Sequence, residues 1–209
     1  MVERFYGIEE VTGSNPVWST KFTLNYLYLR MSMNKNVIWI DENNNALGEV
    51  SFVRAHKEGL LHGISVVYLI NDVNQILIQK RADGRLDHSA AGHVDAGESY
   101  FEAAKRELKE ELGVSRVVLQ EIGDCSSNEN GKKIRHRFKV FVCKTDPGKL
   151  DPNEVEEVFW ANPVEVLKDM KNDKDDKKYC GGFKITLELY LKIFQHNYNL
   201  VLPSSDVAY

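Results

Sequence analysis

The sequence predicts a mixed α/β layered domain. Three observations carry this expectation. Runs of strand character come first, one acidic helical run follows, further strands follow that, and two helical runs close the chain, an order that suits layered α/β packing. The apolar runs either alternate with polar residues or stay apolar over strand length, the two patterns of half-buried and fully buried strands. The 209 residues are 43% hydrophobic and 28% charged, which is enough for one sizeable core under an ordinary globular surface.

Each element has its own local signal. VIWI at 37–40, bounded by DENNNALG, reads as a strand and turn. HGISVVYLIN at 62–71 reads as a buried strand, DVN as a turn, and QILIQKR at 75–81 as the hairpin partner. Residues 84–97 form a loop-rich stretch with one short strand near 89–93. Ser99 and Glu102 have the spacing of a capping box and Gly113 suits a helix end, so a helix is expected from Ser99 to Leu112. Strands follow at 117–123, 136–144 and 154–160, with the polar stretch 124–133 as a loop between the first two. A helix begins at Pro163, where proline suits the first turn, and runs to Met170. The charge run 171–178 reads as a solvated loop, and 185–198 as a closing amphipathic helix.

Domain organisation is read as an extension over 1–32, a single domain over 33–200 and a tail over 201–209. The first thirty residues show no periodicity and no partner element. GSNP at 13–16 is what a transfer-RNA T-arm encodes in one frame. The expectation is a reading frame begun inside an upstream transfer-RNA gene, with Met31 or Met33 as the start. The net charge of −4 argues against a broad nucleic-acid surface. No apolar run approaches the roughly 20 residues of a membrane span, and no signal-peptide pattern opens the chain. Cys125, Cys143 and Cys180 are odd in number and unpatterned, so reduced thiols and a cytoplasmic setting are expected. An edge strand able to pair across a two-fold axis leaves a homodimer open.

The acidic helix raises the functional question. At about 100° per residue, Phe101, Ala104, Leu108 and Leu112 form one apolar stripe expected to face the core. Lys105, Lys109 and Glu102 fall on the far side, and Glu107, Glu110 and Glu111 on a third side flanking the stripe. Among i±3 and i±4 neighbours, only Glu110 has a cation, Arg106, and each like-charge pair costs roughly 0.2–0.5 kcal/mol even when exposed. A divalent cation turns that repulsion into ligation, and carboxylate oxygens suit Mg²⁺ or Mn²⁺.

The same stretch resembles the Nudix box, G-x5-E-x7-R-E-U-x-E-E-x-G-U with U apolar. Gly92, Glu98, Arg106, Glu107, Leu108, Glu110, Glu111, Gly113 and Val114 fill its fixed positions, so the box spans 92–114. The resemblance implies an α/β/α sandwich with a mixed β-sheet and the box as loop–helix–loop. It implies divalent-metal-dependent cleavage of a small-molecule diphosphate, such as a nucleoside diphosphate derivative. Glu107, Glu110 and Glu111 are then the metal ligands, joined by the Gly92 carbonyl. Glu98 pairs with Arg106 to brace the loop, and Glu107 and Glu110 are the candidate general bases. Lys80, Arg81 and Arg85, just before the box, are candidates for holding non-bridging phosphate oxygens, against a reading as plain surface charge.

Residues 37–114, and more weakly the chain to about 194, are similar to the subgroup containing type 1 isopentenyl-diphosphate isomerase. That enzyme needs a cysteine just before the box glycine, where this chain reads Ser89, Ala90, Ala91 and Gly92. It needs acidic residues in the strand after the box, and IRHRFKVFV at 134–142 is basic. Its metal site uses histidines, and His56, His62 and His93 sit at comparable places, with the first spacing displaced. On the residues alone these histidines read as structural or loop-fixing groups. Glu154, Glu156 and Glu157 read as a solvated strand edge, with one further metal ligand or base as the alternative. The intact box and the missing thiol favour a hydrolase over an isomerase, and over a non-catalytic diphosphate-binding module.

Overall fold

The computed structural model describes residues 35–128, 134–174 and 177–198. The expectations for 1–32 and for the tail lie outside these residues. Nine strands occur among the described residues: β1 Asn36–Ile40, β2 Ala46–Ser51, β3 His62–Ile70, β4 Ile76–Arg81, β5 Leu86–Asp87, β6 Ala90–His93, β7 Gln120–Asn128, β8 Arg135–Lys144 and β9 Val155–Ala161. Four helices accompany them: α1 Phe52–Glu58, α2 Tyr100–Leu112, α3 Pro163–Asn172 and α4 Phe183–Tyr198.

Strand β3 is the centre of the sheet. It pairs in parallel with β8 from His62↔His136 to Ile70↔Lys144, and antiparallel with β6 from Ile64↔His93 to Val67↔Ala90. Strand β4 turns back from β3 and pairs with β9, while β7 lies antiparallel on β8. The mixed sheet that the Nudix resemblance implies is thus present. Its two faces follow the two-residue period of the strands. Ile64, Val66 and Tyr68 of β3 pack with Phe138 and Val140 of β8 beneath Phe183, Leu187 and Tyr190 of α4. Val67 and Leu69 pack with Phe141 beneath Ala104, Leu108 and Leu112 of α2. These layers form the α/β/α sandwich.

Several boundaries differ from the sequence reading. The stretch after the first turn holds β2 and the short helix α1, which Ser51 caps by accepting from the Arg54 N–H. The strand expected at 117–123 begins at Gln120, with Val118 89% exposed, and extends through half of the expected loop. The remainder of that loop, 129–133, lies outside the described residues. Helix α3 extends two residues into the charge run, and α4 starts at Phe183.

Phe101 is the clearest correction, because the expected core stripe includes it and it is 43% exposed. The buried face of α2 instead includes Ala103, Glu107 and Glu111 beside Ala104, Leu108 and Leu112. The arc is rotated toward the glutamates because that side, not the Phe101 end, lies on β6 and the cavity behind it.

Candidate active site

The box folds as its residue types require. Ser99 accepts from the Glu102 N–H and Glu102 reaches back to the Ser99 N–H, which completes the expected capping box. Gly113 closes α2 in the left-handed region at φ 63°. At the other end of the loop, Gly92 sits where no side chain fits. A Cβ there would lie 1.9 Å from Glu107 Oε1, so the glycine is what lets the carboxylate rest against the β6 backbone.

Arg106 organises the loop. Its Nε donates to Glu98 Oε1 at 2.9 Å and its Nη2 to Glu98 Oε2 at 2.9 Å, a two-point pair. Nη2 also donates to the His93 carbonyl at 2.9 Å. Nη1 reaches Glu107 Oε1 at 2.5 Å and Glu110 Oε2 at 3.3 Å. Counting helix neighbours alone gave a cation only to Glu110. The structure adds the adjacent contact to Glu107, because the arginine turns inward along the loop instead of outward along the helix.

Glu107 and Glu111 are buried, 8% and 2% exposed, while Glu110 is exposed. Glu111 Oε2 accepts weakly from the Ala91 N–H at 3.3 Å, and from the Gln79 amide at 3.2 Å when that amide is turned to satisfy both of its neighbours. Burial pushes the Glu107 carboxyl up to about 7 against the pull of Arg106, with Glu154 and Glu110 pushing the same way. Burial, then Glu107 and Glu154, raise the Glu111 carboxyl well above the ordinary range. Glu154, read from the sequence as strand edge, therefore joins the carboxylate group. Glu156 and Glu157 do not, since both pair with Lys80 at the surface.

These carboxylates border a cavity of 1040 Å³ whose wall also includes Gly92, Arg81 and Arg85. Arg81 is held by Asp87, Nη1 to Oδ2 at 3.2 Å, and Arg85 by Asp83, Nη2 to Oδ2 at 2.7 Å. Lys80 is not among the wall residues. It follows Gln79 on β4, so the strand period turns it to the other face, where Glu156 Oε1 lies 3.0 Å away.

Sequence reasoning missed three wall features. Asp87 and His88 form a buried chain, Oδ1 to Nδ1 at 2.6 Å and His88 Nε2 to Thr186 Oγ1 at 2.7 Å, which ties β5 to α4. Nothing in local pattern marks it, because its partners are about a hundred residues apart. Lys177, taken as solvated charge, lines the cavity. His136 lies beside His56, His62 and His93, with the ligand atoms of all four within 4.8 Å of one another. His56, His62 and His93, read from the sequence as structural or loop-fixing groups, therefore stand in one cluster with His136. The alternation His136, Phe138, Val140 along β8 is the signal that could have placed His136 inward. Burial holds the cluster neutral, with His56 pushed down to about 4.

Two other expectations find physical reasons here. Ser89, in the segment where the isomerase carries its thiol, is buried and bridges β3 and β4. Its Oγ accepts from the Leu69 N–H at 2.9 Å and donates to the Leu77 carbonyl at 2.7 Å. The basic side chains of β8 point away from the cavity, Arg137 to Asp124 and Lys139 to Glu121.

The family model described as NUDIX domain matches residues 60–180. An uncharacterized Nudix hydrolase of Pseudomonas aeruginosa is 30% identical over 162 residues, covering 74% of this chain and 92% of that protein. An isopentenyl-diphosphate Delta-isomerase of Serratia proteamaculans is 30% identical over 161 residues, covering 72% and 88%. Among solved structures, a Deinococcus radiodurans protein superposes with a TM-score of 0.63 at 21% identity, over 74% of this chain and 97% of that one. That likeness speaks to the fold.

Proposed function

The chain belongs to the NUDIX domain family, and from that premise we propose that it is a metal-dependent hydrolase of an organic diphosphate, such as a nucleoside diphosphate derivative. One observation carries the proposal. Glu107 and Glu111 are buried together, beside Glu110 and Glu154, in a cavity that also presents Arg81 and Arg85. Buried carboxylates that repel one another and are pushed toward protonation form a donor set that a hard divalent cation fits. Glu107, Glu110, Glu111 and the Gly92 carbonyl would hold Mg²⁺ or Mn²⁺. The chemistry such an ion supplies is neutralisation of diphosphate charge and acidification of a water.

The chain's own residues do the rest. Glu98 and Arg106 fix the loop so that the Glu107 carboxylate stays on Gly92. Arg81 and Arg85, each already aimed by an aspartate, would bind non-bridging oxygens and hold the diphosphate in line. Water adds to one phosphorus, its proton passes to a box carboxylate, Glu107 or Glu110, and the anhydride P–O bond breaks to release a monophosphate. A reduced, cytoplasmic setting belongs to the same reading, supported by the unpatterned cysteines. Among the described residues, no helix is long and apolar enough to cross a membrane.

The Serratia relative's name and the histidine cluster favour a second reading, an isomerase-like activity. Against it, the segment before Gly92 reads Ser89, Ala90 and Ala91 with no cysteine, and β8, the strand after the box where the isomerase needs acidic residues, has neither Asp nor Glu. The test is incubation with Mg²⁺ and a panel of nucleoside and prenyl diphosphates. Release of monophosphate or phosphate that disappears in Glu111→Gln supports the hydrolase. Isomer interconversion without release supports the second reading, and binding with neither product reduces the site to a binding module.

A further inference from the structure

We propose that His88, held between Asp87 and Thr186, is a positioning residue: through Asp87 it fixes the Arg81 guanidinium on the cavity wall, ready for a diphosphate oxygen and clear of Glu111. The proposal rests on the hydrolase reading for what Arg81 holds, and on geometry alone for how Arg81 is held.

Arg81 needs such a device. It is the last residue of β4, and the register with β9 shifts between Lys80 and Arg81, so regular strand pairing does not aim its side chain. Its charged surroundings include Asp83, Asp87 and Glu111. A loose guanidinium would settle on Glu111, the carboxylate that a divalent ion needs. The structure turns it to Asp87 instead, with Nη1 donating to Oδ2 at 3.2 Å. Arg81 Nε is buried without a hydrogen-bond partner among the described residues, 3.5 Å from Asp83 Oδ2 but outside hydrogen-bonding geometry. One corner of the guanidinium is thus spent on an anchor, and a buried donor is left for an incoming acceptor.

The anchor is itself held from behind. Asp87 lies on the two-residue strand β5, paired opposite Gln79. Its Oδ1 accepts from the His88 backbone N–H at 2.8 Å and from His88 Nδ1 at 2.6 Å. A carboxylate only accepts, so Nδ1 carries the proton. Burial raises the Asp87 carboxyl, but the His88 hydrogen bond and the Arg81 charge outweigh it and hold the group well below the usual carboxylate range. Asp87 therefore stays an anion for Arg81. At the far side of the ring, His88 Nε2 lies 2.7 Å from Thr186 Oγ1 in the first turn of α4, and the Tyr68 hydroxyl of β3 lies 2.9 Å from the same oxygen. The rings of Tyr68 and Phe183 pack on the imidazole at centroid distances of 5.6 and 4.6 Å. With both nitrogens bonded and two rings against it, the imidazole gives the Asp87 carboxylate one place to sit.

An aspartate, a histidine and a hydroxyl in a row also have the composition of a nucleophilic triad. Burial excludes that use. Thr186 is 0% exposed, and its hydroxyl is already engaged with Tyr68 and with the Phe183 carbonyl at 2.9 Å, so no substrate atom reaches it. What remains is a chain that runs from the core to a cation on the cavity wall. Arg85 is held differently, by Asp83, whose side chain is 43% exposed, a contact that water loosens. The two arginines thus divide the work: Arg81 is preset by buried groups, and Arg85 adjusts to what binds.

The test separates the two ends of the imidazole. His88→Asn puts an amide nitrogen where Nδ1 lies and keeps the Asp87 bond, whereas His88→Gln reaches the Nε2 position and keeps the Thr186 bond alone. The probe is methylenediphosphonate, which binds as a diphosphate and cannot be hydrolysed, titrated calorimetrically into the full chain at saturating Mg²⁺. His88→Gln should weaken its binding about 10–100-fold, and His88→Asn less than about threefold. Arg81→Ala should cost a similar factor, and Arg81→Ala combined with His88→Gln no more than Arg81→Ala alone. Equal weakening in both His88 variants, losses that multiply in the double variant, a lowered Tm with binding unchanged, or no binding by the unaltered chain would each overturn the proposal. Should His88→Gln fail to fold, the proton resonance of His88 Nδ1 in the unaltered chain decides: it should shift when methylenediphosphonate is added and stay in place in Arg81→Ala, and no shift in the unaltered chain overturns the proposal. Probe held through Arg81 and His88 by a chain that turns over nothing on the diphosphate panel removes the hydrolase reading and leaves this one standing. Turnover and probe binding that ignore His88→Gln do the reverse.

Discussion

Glu107→Gln, followed across pH in the absence of divalent ions, isolates the strain in the carboxylate group. Burial raises the Glu107 carboxyl from 4.5 to about 7, so the folded chain binds more protons than the unfolded one between those values. Its contribution to stability is therefore fully present below the unfolded value and is lost as pH rises through the folded one. At 1.36 kcal/mol per pH unit, the loss between about pH 5 and pH 8 is about 2–3 kcal/mol. Glutamine mimics the protonated acid and has nothing to lose. The difference in unfolding free energy, variant minus unaltered chain, should thus move in the variant's favour by at least that amount, since Glu111 also loses its charged neighbour, or about 5–10 °C in Tm. The buried histidines act in the opposite sense as pH rises, because their folded values lie low, but they are common to both chains and cancel in the difference. Urea unfolding at each pH with chelator, then with saturating Mg²⁺, is the assay. Mg²⁺ should restore the unaltered chain at pH 8 and leave the variant little changed. A difference that does not depend on pH would refute the reasoning.

Gly92→Ala places a methyl 1.9 Å from Glu107 Oε1. Turnover should fall at least about 100-fold with the circular-dichroism spectrum unchanged. Glu98→Gln removes the charge that aims Arg106, and kcat should fall about 10–100-fold with KM nearly constant in steady-state assays. Gly182→Ala forces a side chain onto φ 81° and within 2.1 Å of the Phe138 ring, so chemical denaturation should show a loss of about 2–4 kcal/mol.

The parts of the fold that were legible from sequence are those set by near neighbours. The capping box at Ser99, the stop at Gly113 and the alternation along β3 and β8 each report a local constraint that tertiary packing did not override. The short helix α1 was not legible, because seven residues with only Ala55 buried carry almost no periodic signal. Phe101 has the right helical angle for the core, yet it lies at the first turn, where its ring meets Lys105 and the edge of Phe141 near the surface. The box carboxylates were visible because their spacing is fixed along one helix. Arg106's reach to Glu107, the placement of Glu154 and the meeting of four histidines depend on side-chain direction and strand register across distant segments. The same holds for Lys80 and Arg81, adjacent in sequence, of which only Arg81 reaches the cavity.

Calorimetric titration of the metal-free chain with Mg²⁺ or Mn²⁺, in two buffers of different ionisation enthalpy, tests the central claim most directly. If Glu107 and Glu111 carry protons until a divalent cation replaces them, binding near pH 6 should release about one to two protons per ion, and Glu111→Gln should release fewer. Heat that is the same in both buffers, or proton release unchanged in Glu111→Gln, would contradict the account.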